Sequence, residues 1–172
     1  MKINNVLMLL PLLAASFSTF ASSWQVSYGN DEMRGTAQKF LQVTSENAVN
    51  FEFPYNGGSE MAILVRSKKV ELKEGEKPEG LKPTEAMLMI EKGQFLCSSY
   101  NDCHISAKFD DGKIQTYPMV EAADASSDVI FFSSSSRFIK NLQSHKKVII
   151  EAEFFQAGKK QFKFNIDGFP KQ

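Results

Sequence analysis

The sequence predicts an all-β fold, one antiparallel β-sandwich with a single short helix before the C-terminal hairpin. Three observations carry this. Apolar residues repeat with a period of two near the C-terminus, with Val148, Ile150, Ala152 and Phe154 on one face and Lys147, Glu151 and Glu153 on the other. Turn signals recur at short intervals, at Asn56-Gly57-Gly58, Asp110-Asp111-Gly112 and Ala157-Gly158. The apolar runs are rich in β-branched and aromatic residues, including 15 Phe, which suit a pleated surface. The regular alternation of strands with long helices that a parallel sheet needs is missing.

The chain begins with a basic Met1-Lys2, an apolar run from Val6 to Ala15, and small residues ending in Ala21. This is the pattern of a secretory signal peptide over residues 1–21, with cleavage after Ala21 or, alternatively, after Ser23. The apolar run is about half the roughly 20 residues that a spanning helix needs, and Pro11 interrupts it. Residues 22–172 then form one domain, long enough to bury its own core. Cleavage takes Lys2 from the 20 basic residues and none of the 20 acidic ones, leaving a net charge of −1. So weak a field gives no attraction to nucleic acid or an anionic membrane. We expect a periplasmic or secreted protein with no stable membrane insertion after cleavage.

The elements follow in order. Met33–Thr44 fits a helix face through Ala37, Leu41 and Thr44, but Gly35 and the β-rich context favour a strand. Phe51–Tyr55 reads as a strand stopped by Pro54 and Asn56-Gly57-Gly58. Met61–Val65, Ala86–Ile90 and Val129–Phe132 are continuous apolar runs, expected to be buried on both faces. Between the first two lies Ser67–Pro83, rich in Lys, Glu, Gly and Pro, which reads as a solvated, mobile excursion. His104–Phe109 alternates with Ile105, Ala107 and Phe109 inward, and Asp110-Asp111-Gly112 turns it into a strand over Lys113–Tyr117. Ser134 is the expected N-cap of the helix, whose Phe138, Ile139 and Leu142 share a face, and His145 with two lysines suits its C-terminal dipole. Phe162, Phe164 and Ile166 give the inner face of the last strand.

The chain holds two cysteines, Cys97 and Cys103. In an oxidising compartment they are expected to pair, pinning the mouth of a hairpin. That pairing removes the thiolate a Cys–His site with His104 would need. Two Cys and two His at these spacings match no zinc motif, and phosphate-binding glycine loops are absent. No metal or cofactor is expected. Glu151 and Glu153 could act as an acid–base pair, but a solvated outer face paired with Lys163 is the expected arrangement. Arg34, Arg66 and Arg137 are each expected in a structural ion pair within the domain. Trp24 and Tyr28 are expected in the core or at a sheet edge.

From Glu60 onward the order of segments resembles a known group. It runs through the strand ending in Arg66, Met87-Leu88-Met89-Ile90, Lys108-Phe109-Asp110-Asp111-Gly112-Lys113, Asp124-Ala125-Ser126-Ser127 and Val129-Ile130-Phe131-Phe132. Phe138-Ile139-Lys140-Asn141-Leu142 and Phe164-Asn165-Ile166-Asp167-Gly168-Phe169 close it. The pattern is similar to the small exported β-sandwich proteins associated with type VI secretion (TagO-like), and more loosely to IalB-like invasion-associated proteins. Tyr117 stands where the group leads us to expect a Trp, and Ser67–Pro83 looks like an insertion. The resemblance implies a non-catalytic accessory or binding protein of the envelope with a protein partner. Candidate partner-facing residues are Tyr55, Asn56, Arg66 and Arg137. The alternative is a small hydrolase or carbohydrate-binding module using Glu151 and Glu153.

Overall fold

The computed structural model describes residues 24–97 and 102–170. The expected signal peptide, 1–21, lies outside the described residues. The fold is an all-β antiparallel sandwich with one short helix before the C-terminal hairpin. Its ten-stranded sheet runs in the order β1 (Gln25–Asp31), β2 (Thr36–Thr44), β5 (Met61–Ser67), β7 (Pro83–Ile90), β10 (Val129–Phe132), β9 (Ile114–Glu121), β8 (His104–Phe109), β11 (Lys147–Phe154), β12 (Gly158–Asn165), with β6 (Val70–Glu71) paired to the side of β2. The sheet folds over so that alternate residues of nearly every strand meet in one core.

β1 (Gln25–Asp31) and β2 (Thr36–Thr44) form the first hairpin, with Asp31 opposite Thr36 and Gly35 at positive φ in the turn. The ambiguous 33–44 segment is therefore a strand from Thr36 onward. Ala37, Leu41 and Val43 face the core. Trp24, just before β1, is buried, and its indole Nε1 donates to the Ile166 carbonyl at 3.1 Å.

The expected strand over Phe51–Tyr55 is shorter and earlier. β3 (Val49–Phe51) pairs with β4 (Gly57–Ser59), and residues 52–56 form the turn between them. Pro54 has no N–H for a ladder. It follows a cis Phe53–Pro54 bond, and the Glu52 carbonyl accepts from both Tyr55 N and Asn56 N.

β5 (Met61–Ser67), β7 (Pro83–Ile90) and β10 (Val129–Phe132) lie side by side. Their burial on two faces is a correction. Met61, Ile63, Val65, Leu88, Ile130 and Phe132 are in the core, while Ala62, Leu64, Val129 and Phe131 are half-buried and Met89 is exposed. Of the outer row only Met87 is buried, between Leu64 and Phe131 on the neighbouring strands. A continuous apolar run does not reveal which of its faces is covered.

The polar excursion is tied down rather than freely solvated. β6 (Val70–Glu71) pairs with Thr36 and Ala37, and a 3-10 turn follows at Pro78–Gly80. Lys39 is buried on β2 and donates from Nζ to the Glu79 carbonyl at 2.7 Å. Its aliphatic stem packs inward while its charged tip meets a carbonyl.

β8 (His104–Phe109) and β9 (Ile114–Glu121) form the expected hairpin, with Asp110 at φ 44 in the turn. β9 runs past Tyr117 because its far half pairs with β10. α1 (Ser135–Ser144) buries Phe138, Ile139 and Leu142 as its spacing predicts. Ser134 is the N-cap by position, but its side chain makes no capping bond. Ser135 Oγ accepts from Ala86 N instead, anchoring the helix start to β7. Phe138 stacks on Phe132 at 4.0 Å between ring centres and meets Tyr117 edge-on at 5.4 Å.

β11 (Lys147–Phe154) and β12 (Gly158–Asn165) close the fold. Cys97 and Cys103 are disulfide-bonded, with Cα atoms 4.9 Å apart. The bridge does not pin a hairpin mouth. Phe95 bridges Phe154 on β11, and β8 pairs with the same edge of β11 from Ser106 onward. The disulfide therefore joins two successive segments that dock on one strand edge.

Candidate functional site

A cleft of about 590 Å³ opens between the 52–56 turn and the β11–β12 turn. Phe51 forms its floor. This ring is buried, and it meets Phe154 edge-on at 5.1 Å and Tyr55 edge-on at 6.4 Å. Gly93 makes room for it. A Cβ there would sit 3.1 Å from two Phe51 ring atoms, and its φ of +125° excludes ordinary side chains. Lys160 Nζ lies 6.0 Å from the Phe51 ring centre, within cation–π range.

The rim comes from two distant parts of the chain. Phe53 on the cis-proline turn is 83% exposed, and Phe155 at the end of the hairpin is 51% exposed. Phe155 N donates to the Gln94 carbonyl at 2.9 Å, fixing the hairpin end against the 94–96 segment. Asn50, Gln94 and Gln156 add neutral polar groups. Among the described lining residues, Glu52 is the one carboxylate and Lys160 the one cation, with no Ser, Cys or His beside them. The arrangement can desolvate an apolar group and fix a polar one, which is the chemistry of a binding cleft.

The candidate residues fall in different places. Tyr55 lines this cleft, and Asn56 follows it at φ 40. Arg66 lies elsewhere, at a cleft of about 370 Å³ over the outer sheet face. Its Nε donates to Glu85 at 2.8 Å and its guanidinium sits 5.5 Å from the Phe131 ring centre. The expected internal ion pair is thus present there, as it is for Arg34 with Asp31. Arg137 corrects the same expectation. Its guanidinium stacks 4.3 Å over Tyr117 and donates to the Thr116 carbonyl. No acidic residue lies in the first turn of α1, so the ring takes the cation.

Glu151 and Glu153 sit on the outer face as expected, but not against Lys163. The register places Glu151 opposite Gln161 and Glu153 opposite Lys159, with Lys163 opposite Ile149. Gln161 Nε2 donates to Glu151 at 2.7 Å, and Lys159 Nζ is 4.0 Å from its other oxygen. Among the described residues no group of three or more His, Cys, Asp or Glu converges to hold a metal ion. No described helix is long and apolar enough to cross a membrane.

Phe53, Gln94, Phe155 and Lys160 were not predicted from sequence. The alternation that turns Phe154 inward already turns Phe155 outward, and that was the available signal. Comparison with family models, curated proteins and solved structures returns no match.

Proposed function

We propose that this chain is an exported, non-enzymatic binding protein of the bacterial envelope that takes a protein partner at the Tyr55 cleft. One observation carries the reading, the exposed Phe53–Phe155 rim over an aromatic floor. Exposed aromatic anchors around a dry floor are the usual energetic centre of a protein interface. Lys160 makes no ion pair among the described residues, so the partner that fits presents an apolar side chain beside a carboxylate. The Cys97–Cys103 disulfide fits an extracellular or periplasmic compartment. The TagO-like resemblance supports an accessory role linked to a secretion system. Glu151 is engaged by Gln161 and Lys159 and lies outside the cleft, which favours binding over hydrolysis.

The test is crosslinking in the native host followed by mass spectrometry of what co-purifies. Envelope subunits recovered with the natural chain should be lost with Phe53→Ala and with Lys160→Glu. Recovery of the same proteins with both variants would refute the cleft as the docking site.

A further inference from the structure

The two edges of the sheet are treated differently. β12 is protected. It carries Lys159, Lys160 and Lys163, and its edge is partly occupied at Lys163. Lys163 O accepts from Glu46 N at 2.7 Å, and Lys163 N donates to Asn47 Oδ1 at 2.7 Å. Lysines and a covering segment are standard ways to stop strand addition.

β1 has none of these devices. Gln25-Val26-Ser27-Tyr28-Gly29-Asn30 contains no charge and no proline, and Asp31 is its one ionised residue. All seven residues pair with β2 on one side, and among the described residues no strand pairs on the other. The opposite end of the chain reaches it ahead of the strand, where Trp24 Nε1 donates to the Ile166 carbonyl. Val26 and Tyr28 are 41% and 39% exposed, yet they share a face with buried Leu41 and Lys39. They are core-facing apolar side chains that the core does not reach far enough to cover. On the other face Gly29 leaves room for the Phe40 ring, 3.2 Å from where a Cβ would stand.

We propose that two copies of this chain join through β1, antiparallel about a two-fold axis near Tyr28, so that the sheets become continuous. The occupant is a second copy because this strand matches itself. A two-fold near Tyr28 sets the uncharged residues 26–30 against one another, places each Asp31 opposite a Gln25 and holds the two Asp31 carboxylates at opposite ends. Tyr28 then faces Tyr28 across the seam, and Val26 lies diagonal to it beside Asn30, on the same face. Pairing of β1 with β12 would give open-ended filaments, and the Glu46–Asn47 segment on β12 opposes it. Seven-residue edges bury less than the roughly 1,200 Å² of a standard interface, so the dimer is a weak one that concentration controls.

Sedimentation velocity on the purified, disulfide-intact protein tests this. The mass should shift from monomer toward dimer with rising concentration. Val26→Lys and Tyr28→Lys, at exposed positions, should each keep the protein monomeric with an unchanged circular dichroism spectrum. Single cysteines at Val26, Ser27, Tyr28 and Gly29 should crosslink between copies most readily near the axis, since facing strand residues come within disulfide range. Phe53→Ala, at the cleft, should leave the dimer intact, so failure here is separable from failure of the proposed function. A natural chain that stays monomeric at every concentration overturns the proposal. So does a dimer that survives both lysine substitutions.

Discussion

Truncating Phe138 to Ala should cost this domain a large share of its stability. The ring is fully buried, stacked on Phe132, edge-on to Tyr117 and tilted against Phe109 at 5.8 Å. A buried Phe→Ala change costs about 3–5 kcal/mol, from lost transfer energy and the cavity left behind. Three rigid aromatic neighbours cannot collapse into the gap, so the upper half of that range is expected. Small domains hold only about 5–15 kcal/mol in total, so the loss approaches unfolding. Urea denaturation followed by Trp24 fluorescence is the assay, because Trp24 is the one tryptophan and sits buried near Ile166, outside the Phe138 cluster. The midpoint should fall without a change in slope. The melting temperature should drop by about 8–20 °C, at about 2–4 °C per kcal/mol for a domain of this size. Phe138→Leu keeps most of the volume and should lose about 1–2 kcal/mol. A loss below about 1.5 kcal/mol for Phe138→Ala, within reach of an ordinary surface change, would refute the claim that α1 is part of the core.

Thiol titration of the unfolded, unreduced protein should find no free thiol, and replacing Cys97 and Cys103 by Ala should cost about 2–2.5 kcal/mol in the chain-entropy view of so small a loop. Lys39→Met keeps the stem but removes the bond to the Glu79 carbonyl, and limited proteolysis should then cut between residues 67 and 83 faster than in the natural chain. Asp110 accepts from the amides of Lys146 and Lys147 and sits at positive φ, so Asp110→Ala should cost about 1–2 kcal/mol in denaturant titration while Asp110→Asn costs less. Hydrogen bonds from Ser126 hold the Asp124 carboxyl below its usual range, so the stabilisation it lends is complete above that range and is lost as pH falls through the lowered folded value. An NMR titration should place the Asp124 midpoint low in the natural chain and raise it in Ser126→Pro, which lacks the amide donor.

The hairpins were legible because their faces repeat every second residue, and Ile105, Ala107, Phe109, Val148, Ile150, Phe162 and Phe164 are all buried as that period requires. Pairings across a hairpin were not, because they depend on turn length. The turn closes with Phe154 opposite Gly158, which gives Glu153 to Lys159 and leaves Lys163 facing Ile149. Lys39 shows another limit. The alternation of β2 puts it inward, where a lysine rarely lies, and the carbonyl that receives it is 40 residues away. The cleft was half visible. Tyr55 and Asn56 were marked by their turn, whereas Phe155 and Lys160 reach it only through packing of Phe51 against Phe154. Contacts between segments about 100 residues apart leave no local pattern.

The place of β11 in the sheet governs when this protein can fold. It is the penultimate strand along the chain, yet β8, β12 and the Phe95 segment all hang from it, and Trp24 at the other end waits for the Ile166 carbonyl. A ribosome that has finished β7 at Ile90 must add about 75 more residues before β12 ends at Asn165, or about 4–15 s at ordinary synthesis rates. During that interval β2, β5 and β7 have their apolar rows and nothing to cover them. Under the export proposed above, this delay is an advantage, since the chain cannot close into an untransportable knot before its last strand appears. A copy lacking only β11 and β12 would be left permanently in that sticky, half-built condition.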